Sequence, residues 1–252
     1  MRLATVQWGE GNLERQLLVG QLPSDPARVV DLNRLEQLRL AKLGEGQAAE
    51  LAQALVPSCL ARILEGGPRA LHRVRQVLRY AEKWEGRGGL PEALAPRLDQ
   101  VRLLPCLPRP AVLRRWDGTH LDRLAVRGPE ATLGQAPVPT LALLGMHGGL
   151  PAGCCLAVDD VRGVVLGGWL ELDLDWDGVL ELRIGGQHRR LAMDTWRGLA
   201  LPALRAGEVL LAPPPELRWS PIPEGTREVR LGAAFETLTL GLGENLIHPT
   251  IQ

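Results

Sequence analysis

The sequence predicts an α+β fold, a small N-terminal sheet with helices followed by a mainly β, rolled or barrel-like domain. Short runs of alternating apolar and polar residues open the chain, and a block with three- and four-residue apolar spacing follows. After a Pro-rich passage nearly every segment returns to the period of a strand. We place an α+β domain at 1–88, a Pro/Gly-rich linker at 89–110 and a β domain at 111–252. A chain of 252 residues is long enough for such a pair, each part with its own core.

The opening strands are "RLATVQW", "RQLLVGQL" and "ARVVDL", separated by turn residues. Helices follow in "NRLEQLRLAKL", "GQAAELAQALV" and "PRALHRVRQVLRYAEKW". In the last of these Leu71, Val74, Leu78 and Ala81 form one apolar face, and Arg69, Arg73 and Arg79 read as a solvated face. "EGRGGLPEALAPRLDQ" and "LLPCLPRPAVLRRW" carry the punctuation of a connection. Beyond them "PTLALLG", "VRGVVLGGWLELDLDW", "VLELRIGG", "GEVLLAPP", "REVRLGA" and "ETLTLGL" read as strands. The stretch "DLDWDG" spaces aspartates as a calcium loop does, but Ile184 stands at the twelfth position, where such a loop needs a bidentate glutamate. Its alternating flanks make Asp177-Gly178 a hairpin turn. Leu170, Leu172, Leu174 and Trp176 then face the core, and Glu171, Asp173 and Asp175 form a solvated acidic stripe.

With 29 basic and 29 acidic residues, no net field draws the protein to nucleic acid or to an anionic membrane. Tyr80 and Phe235 are single, and the 7 tryptophans are too scattered for a stacking platform on single-stranded nucleic acid. The start "MRLATVQW" does not read as a signal peptide and no segment is apolar enough to span a bilayer, so the expectation is a soluble cytoplasmic protein. Cys59, Cys106, Cys154 and Cys155 lack zinc-site spacing and read as buried free thiols. The signatures of dinucleotide, P-loop, serine hydrolase and zinc protease chemistry are missing. "GMHGGLPAGCC" sets His147 near a cysteine pair, and we read it as a Gly148-Gly149 turn with an exposed His147 rather than a thiol enzyme.

Taken in order, these pieces resemble the fumarylacetoacetate hydrolase family. "MRLATVQ", the "VVDL" strand at Val29–Leu32 and the Pro57–Leu71 pattern are similar to its first domain. "AGCCLAVDD" resembles the family's Ala-Gly-Tyr-x-Leu-Ala-x-Asp strand, and "LGGWLE" resembles its Gly-Pro-Trp-Leu segment with Gly168 in the place of proline. "LELRIGGQHRR" and "LRAGEVLLAPP" are similar to the strands that follow. The segment from His120 onward is several tens of residues shorter than the family's usual catalytic domain.

The resemblance implies hydrolysis, decarboxylation or tautomerisation of 2-oxo acids or acylpyruvates. Magnesium or manganese would act there as a Lewis acid on the substrate's oxygens. It makes Asp159 a metal ligand, with Asp160 and Glu130 the only acids near enough in sequence to assist. The family's Glu-x-Glu falls on "APVPTLALLG", which contains no acid, and three hard oxygen ligands are thereby reduced to one or two. The family's general base falls on His120, a residue type suited to proton abstraction near neutral pH. Arg162 stands near the family's lysine as a candidate substrate-binding residue, although a guanidinium differs in shape and stays charged. The hydroxyl-rich Thr-Gly-Thr-Pro loop is "APPPEL" here.

The sequence therefore predicts a fumarylacetoacetate hydrolase-like scaffold with no resident metal. It would be a pseudoenzyme that binds a small 2-oxo acid or another small molecule, or that assembles as a homodimer or with a related subunit. The alternative is an active hydrolase or decarboxylase, using magnesium or manganese and a site rearranged around His120, Glu130, Asp159 and Asp160.

Overall fold

Strands β1 (Arg2–Trp8), β2 (Arg15–Leu22) and β3 (Asp25–Asp31) fall on the three opening segments and pair in antiparallel order. The computed structural model describes residues 1–9, 15–123, 126–133, 138–149, 151–160, 163–173, 178–184, 187–192, 194, 202–212, 228–233 and 236–241. The chain leaves β3 directly into helix α1 (Leu32–Lys42), because the Asp31 carboxylate accepts the Arg34 N–H at 3.0 Å and caps the first turn. Helix α2 (Ala48–Leu55) follows, then α3 (Leu60–Glu85). As the spacing predicts, α3 buries Leu71, Val74, Leu78 and Ala81. It also extends one segment upstream, across a kink at Gly67 (φ 62°) and Pro68 that apolar periodicity does not reveal.

The predicted solvated face of α3 is partly tied down. Glu36 of α1 is wholly buried, and its carboxylate accepts from Arg39 at 2.7 and 3.1 Å and from Arg73 at 2.8 and 2.5 Å. The crossing of α1 over α3 converts Arg73 from a surface charge into the partner of an acid that has no water. We expect Glu36→Ala to lower stability by about 2 kcal/mol, because it strands two half-buried guanidinium groups. Arg39→Ala alone should cost less, since Arg73 still holds the carboxylate. Urea unfolding of the two variants checks this ordering.

The remaining strands of the large sheet are β4 (Arg102–Leu103), β5 (Val112–Arg115), β6 (Val126–Arg127), β7 (Val138–Gly145), β8 (Pro151–Asp160), β9 (Gly163–Leu166), β10 (Trp169–Glu171) and, later in the chain, Glu208–Ala212. Between them lie β11 (Val179–Ile184) and β12 (Gln187–Ala192), which makes Glu208–Ala212 β13. Strands β14 (Glu228–Ala233) and β15 (Glu236–Gly241) complete the series. Among the described residues the large sheet has 11 strands, on the path β3-β2-β1-β10-β8-β7-β13-β5 with β4, β6 and β9 at its sides. A second sheet of 4 strands runs β12-β11-β14-β15.

The rolled or barrel-like expectation holds in part. The path ends at β3 and β5, which do not pair, so among the described residues the sheet is open. It is nevertheless strongly rolled. From β5 to β8 a flat sheet spans roughly 14 Å, yet Arg115 of β5 bonds Asp159 of β8 at 2.5 and 3.0 Å. The same sheet also crosses the predicted linker, since β1 pairs with β10 and β4 pairs with β1. Backbone bonds hold the link in place, among them Val29 N–H to Pro96 O at 3.1 Å, Asp31 N–H to Leu94 O at 3.0 Å, Leu104 N–H to Thr5 O at 2.9 Å and Cys106 N–H to Gly167 O at 2.8 Å.

Alternation along β7 and β8 distributes the core. Ala142, Cys155 and Ala157 face the cluster that contains Leu60, Ile63, Leu64 and Val74 of α3. Leu141, Leu143, Cys154, Leu156 and Val158 face the cluster containing Leu180, Leu231, Leu238 and Leu240 of the small sheet. Helices thus cover one face of the large sheet and the small sheet covers the other. The predicted acidic stripe is not solvated at Glu171, which is buried and accepts from the Met1 ammonium at 2.8 Å and from Arg2 at 3.1 Å. Pairing of β10 with β1 brings those cations to it. Asp173 reaches Arg75 at 3.1 Å, while residues 174–177, including Asp177, lie outside the described residues.

Candidate functional site

Asp159 and Asp160 are consecutive on β8, so the pleat sends their side chains to opposite faces. Asp159 shares the face of Ala157 and Cys155, whereas Asp160 shares the face of Val158 and Leu156. Each has its own arginine. Arg115 grips both oxygens of Asp159, and Arg127 of β6 donates to Asp160 at 2.6 Å. Glu130 stands apart in an exposed pair with Arg102 of β4 at 2.9 Å. The three candidate ligands are therefore not brought together, and among the described residues no group of three His, Cys, Asp or Glu side chains has the arrangement to hold a metal ion.

The strand register accounts for this at Asp159. Val138 lies directly opposite Asp159 on β7, and Thr140 lies opposite Ala157. Those two positions flank Asp159 on its own face, where a Glu-x-Glu pair would present its carboxylates. A valine brings no oxygen, and the buried Thr140 hydroxyl is turned to the Leu141 carbonyl at 3.3 Å. The donors that remain do not suit magnesium or manganese, which need several hard oxygens around one point. The positive charge that Asp159 meets among the described residues is Arg115. The bidentate pair is the favoured geometry of guanidinium with carboxylate, and bonding to Asp159 pushes the Arg115 pKa further up. Arg115 is the residue that sequence reasoning missed. It lies inside "RRWDGTH", but only the roll of the sheet shows that it reaches β8.

His120 occupies the return arm of a tight turn opposite Arg114. The turn is closed by Arg115 N–H to Thr119 O at 2.8 Å and by Thr119 N–H to the Asp117 carboxylate at 2.8 Å, and the second of these bonds holds the Asp117 pKa below the usual range. The imidazole is exposed to solvent, and among the described residues no carboxylate orients it. Arg162 lies outside the described residues, as does the "APPPEL" loop beyond Ala212.

One departure from the family pattern has a direct structural reason. The Gly168 N–H donates to the Glu236 carboxylate of β15 at 2.7 Å, and a proline there has no N–H to give. The other Glu236 oxygen, Oε2, is buried without a hydrogen-bond partner and lies 2.2 Å from where a Cβ on Gly167 would stand. Burial raises the Glu236 pKa from its ordinary 4.5 to about 7, against the lowering effect of the Gly168 and Trp169 amides. Nearby, Cys154 and Cys155 are fully buried. Burial drives the Cys154 thiol far up, and a hydrogen bond with Cys106 together with burial does the same for Cys155. Neither thiol is available as a nucleophile at neutral pH.

No protein-family model matches the chain, and no curated protein sequence matches it. Solved structures do. A maleylpyruvate hydrolase from Sphingobium sp. SYK-6 superposes with a TM-score of 0.62 at 14% identity, over 96% of this chain and 99% of that one. A 5-carboxymethyl-2-hydroxymuconate delta-isomerase from Mycobacterium smegmatis gives 0.54 at 17% identity, over 96% and 99%. A 2-hydroxyhepta-2,4-diene-1,7-dioate isomerase from Mycobacterium marinum gives 0.52 at 14%, over 96% and 98%. The match runs through both halves of the chain, in the order in which the sequence motifs resemble the family. The chain has the fumarylacetoacetate hydrolase fold.

Proposed function

We propose that this protein is a fumarylacetoacetate hydrolase-like pseudoenzyme, in which the place of the divalent metal is taken by the Arg115 guanidinium. Its role is then small-molecule binding or subunit assembly, as a homodimer or with a related subunit, in the cytoplasm. The observation that carries this reading is the bidentate Arg115–Asp159 pair, flanked by Val138 where a second carboxylate would be needed. Without a Lewis acid, an enolate formed on a 2-oxo acid has no strong stabiliser at this point of the sheet. Among the described residues, no helix is long and apolar enough to cross a membrane.

Turnover assays distinguish this reading from an active enzyme. Oxaloacetate and an acylpyruvate, each offered with magnesium and with manganese, are expected to remain unconsumed. Metal-dependent consumption that disappears in both Asp159→Ala and His120→Ala would overturn the proposal and assign a rearranged active site. Sedimentation of the purified protein tests the assembly role, for which a species heavier than the 27.4 kDa chain is expected. A strictly monomeric protein would leave small-molecule binding as the role.

A further inference from the structure

The turn between β7 and β8 and the segment entering β13 border an open cleft of about 600 Å3, within the range of small-molecule sites. Its walls are Met146, His147, Gly148 and Gly149 on one side and residues 203–206 on the other, so among the described residues the lining contains two basic side chains and no acid. We propose that this cleft binds a small oxyanion, a carboxylate or a phosphate, between His147 and Arg205. This gives the small-molecule reading above a specific ligand class and place, and rests on that reading only for its biological meaning.

The pairing of the arginines bears on the choice of ligand. Arg28, Arg39, Arg73, Arg114, Arg115 and Arg127 each hold a carboxylate. Arg205 is exposed and forms no ion pair with any described residue, and the same holds for His147. The nearest acid by sequence, Glu208, does not neutralise it. Glu208 is buried, bonded to the Arg114 side chain, and meets Arg205 only at the backbone N–H, at 2.8 Å. Arg205 brings a guanidinium and His147 an imidazole to the same cleft, both hydrogen-bond donors to an anion, and among the described residues neither is paired with a carboxylate.

The frame is also held in place before any ligand arrives. Leu204 N–H bonds Gly149 O at 3.2 Å and Gly207 N–H bonds Gly145 O at 3.0 Å, so the two walls are fixed relative to each other. His147 donates its backbone N–H to Leu64 O at 2.9 Å. Its Cβ rests against the kinked Gly67, where an added Cβ would lie 3.2 Å away. Gly148 and Gly149, with φ of 101° and 82°, make the turn that leaves the imidazole exposed. The backbone of both walls is thus set before binding, and only the two exposed side chains are left to be ordered by the ligand. The cleft and Asp159 stand at opposite ends of β8, roughly 25–30 Å apart along the strand. The site is thus separate from the position of the metal in the family resemblance.

The test is a nuclear magnetic resonance titration of the full chain that follows the imidazole signals of all 5 histidines. Inorganic phosphate and malonate serve as separate probes at about pH 6.5, where histidine begins to carry charge. A saturable shift at His147, absent at His120 and His188, is expected with a dissociation constant on the order of 1 mM. Arg205→Ala should weaken it about tenfold or more. The change removes an exposed side chain, and an unaltered melting curve will show that the fold is intact. A response to phosphate alone, to malonate alone or to both each supports the site and identifies the anion. The proposal is overturned if His147 does not respond to either probe, if all histidines shift in parallel, or if Arg205→Ala binds as well as the parent. Metal binding at Asp159 would remove the pseudoenzyme reading without affecting any of these outcomes.

Discussion

Gly153→Ala is expected to lower stability by about 3 kcal/mol, the upper end for an overpacked core. Gly153 lies on β8 against β10, and a Cβ there would stand 2.2 Å from the Glu171 carbonyl oxygen and 3.1 Å from the Leu172 Cα. Both are backbone atoms, so no side chain can swing aside to make room. The strain falls where β10 links β8 to β1, which is the join between the N-terminal strands and the rest of the large sheet. Urea unfolding should show the loss. Hydrogen exchange should show it concentrated in β1 and β10, with the small sheet little changed. A variant as stable as the parent would mean that β8 and β10 are not packed this closely.

The second large effect depends on pH. The Glu236 pKa is raised from 4.5 to about 7, so the folded state prefers the protonated carboxyl. Stability from this group is fully present below about pH 4.5 and is lost as pH rises through about 7. The shift corresponds to about 3 kcal/mol at most, reduced to about 2 kcal/mol because part of the side chain still meets solvent. Glu236 sits on the small sheet and bonds the large one at Gly168, so ionisation loosens the contact between the sheets. In Glu236→Gln, which keeps an oxygen for the Gly168 N–H, this component of the fall in stability between pH 5 and pH 8 should disappear, about 2 kcal/mol. Denaturant titrations at four pH values measure it, and parallel profiles for the two proteins would contradict the assignment.

Much of the fold was legible because strand and helix periods are local. The alternating runs at Arg2–Trp8, Arg15–Leu22 and Val138–Gly145 became strands, and the face of Leu71, Val74, Leu78 and Ala81 became core. What local pattern does not carry is long-range pairing. Joining β1 to β10 buried Glu171 and placed both halves of the chain in one sheet, and neither follows from the alternation that identified the strands. The helical segment upstream of the α3 kink was equally hidden, since the predicted helix begins only at Pro68, just after the non-helical Gly67.

The candidate site divides in the same way. Its missing acids are a fact of composition and could be read directly from "APVPTLALLG". Separation of Asp159 from Asp160 follows from strand alternation alone, once that segment is known to be extended. The arginine partners were not legible, because Arg115 meets Asp159 across 44 residues and Arg127 meets Asp160 across 33. Glu236 gave no signal either, as its neutral-range pKa arises from burial against a pair of glycines on another sheet.

Calorimetric titration of the chelator-treated protein with manganese tests the central claim most directly, since it asks whether Asp159 serves a dication or a guanidinium. No detectable heat is expected at concentrations up to about 1 mM, as one carboxylate already held by Arg115 offers too few oxygens. Binding at about micromolar affinity that is lost in Asp159→Ala would contradict the account and restore a metal centre to this fold.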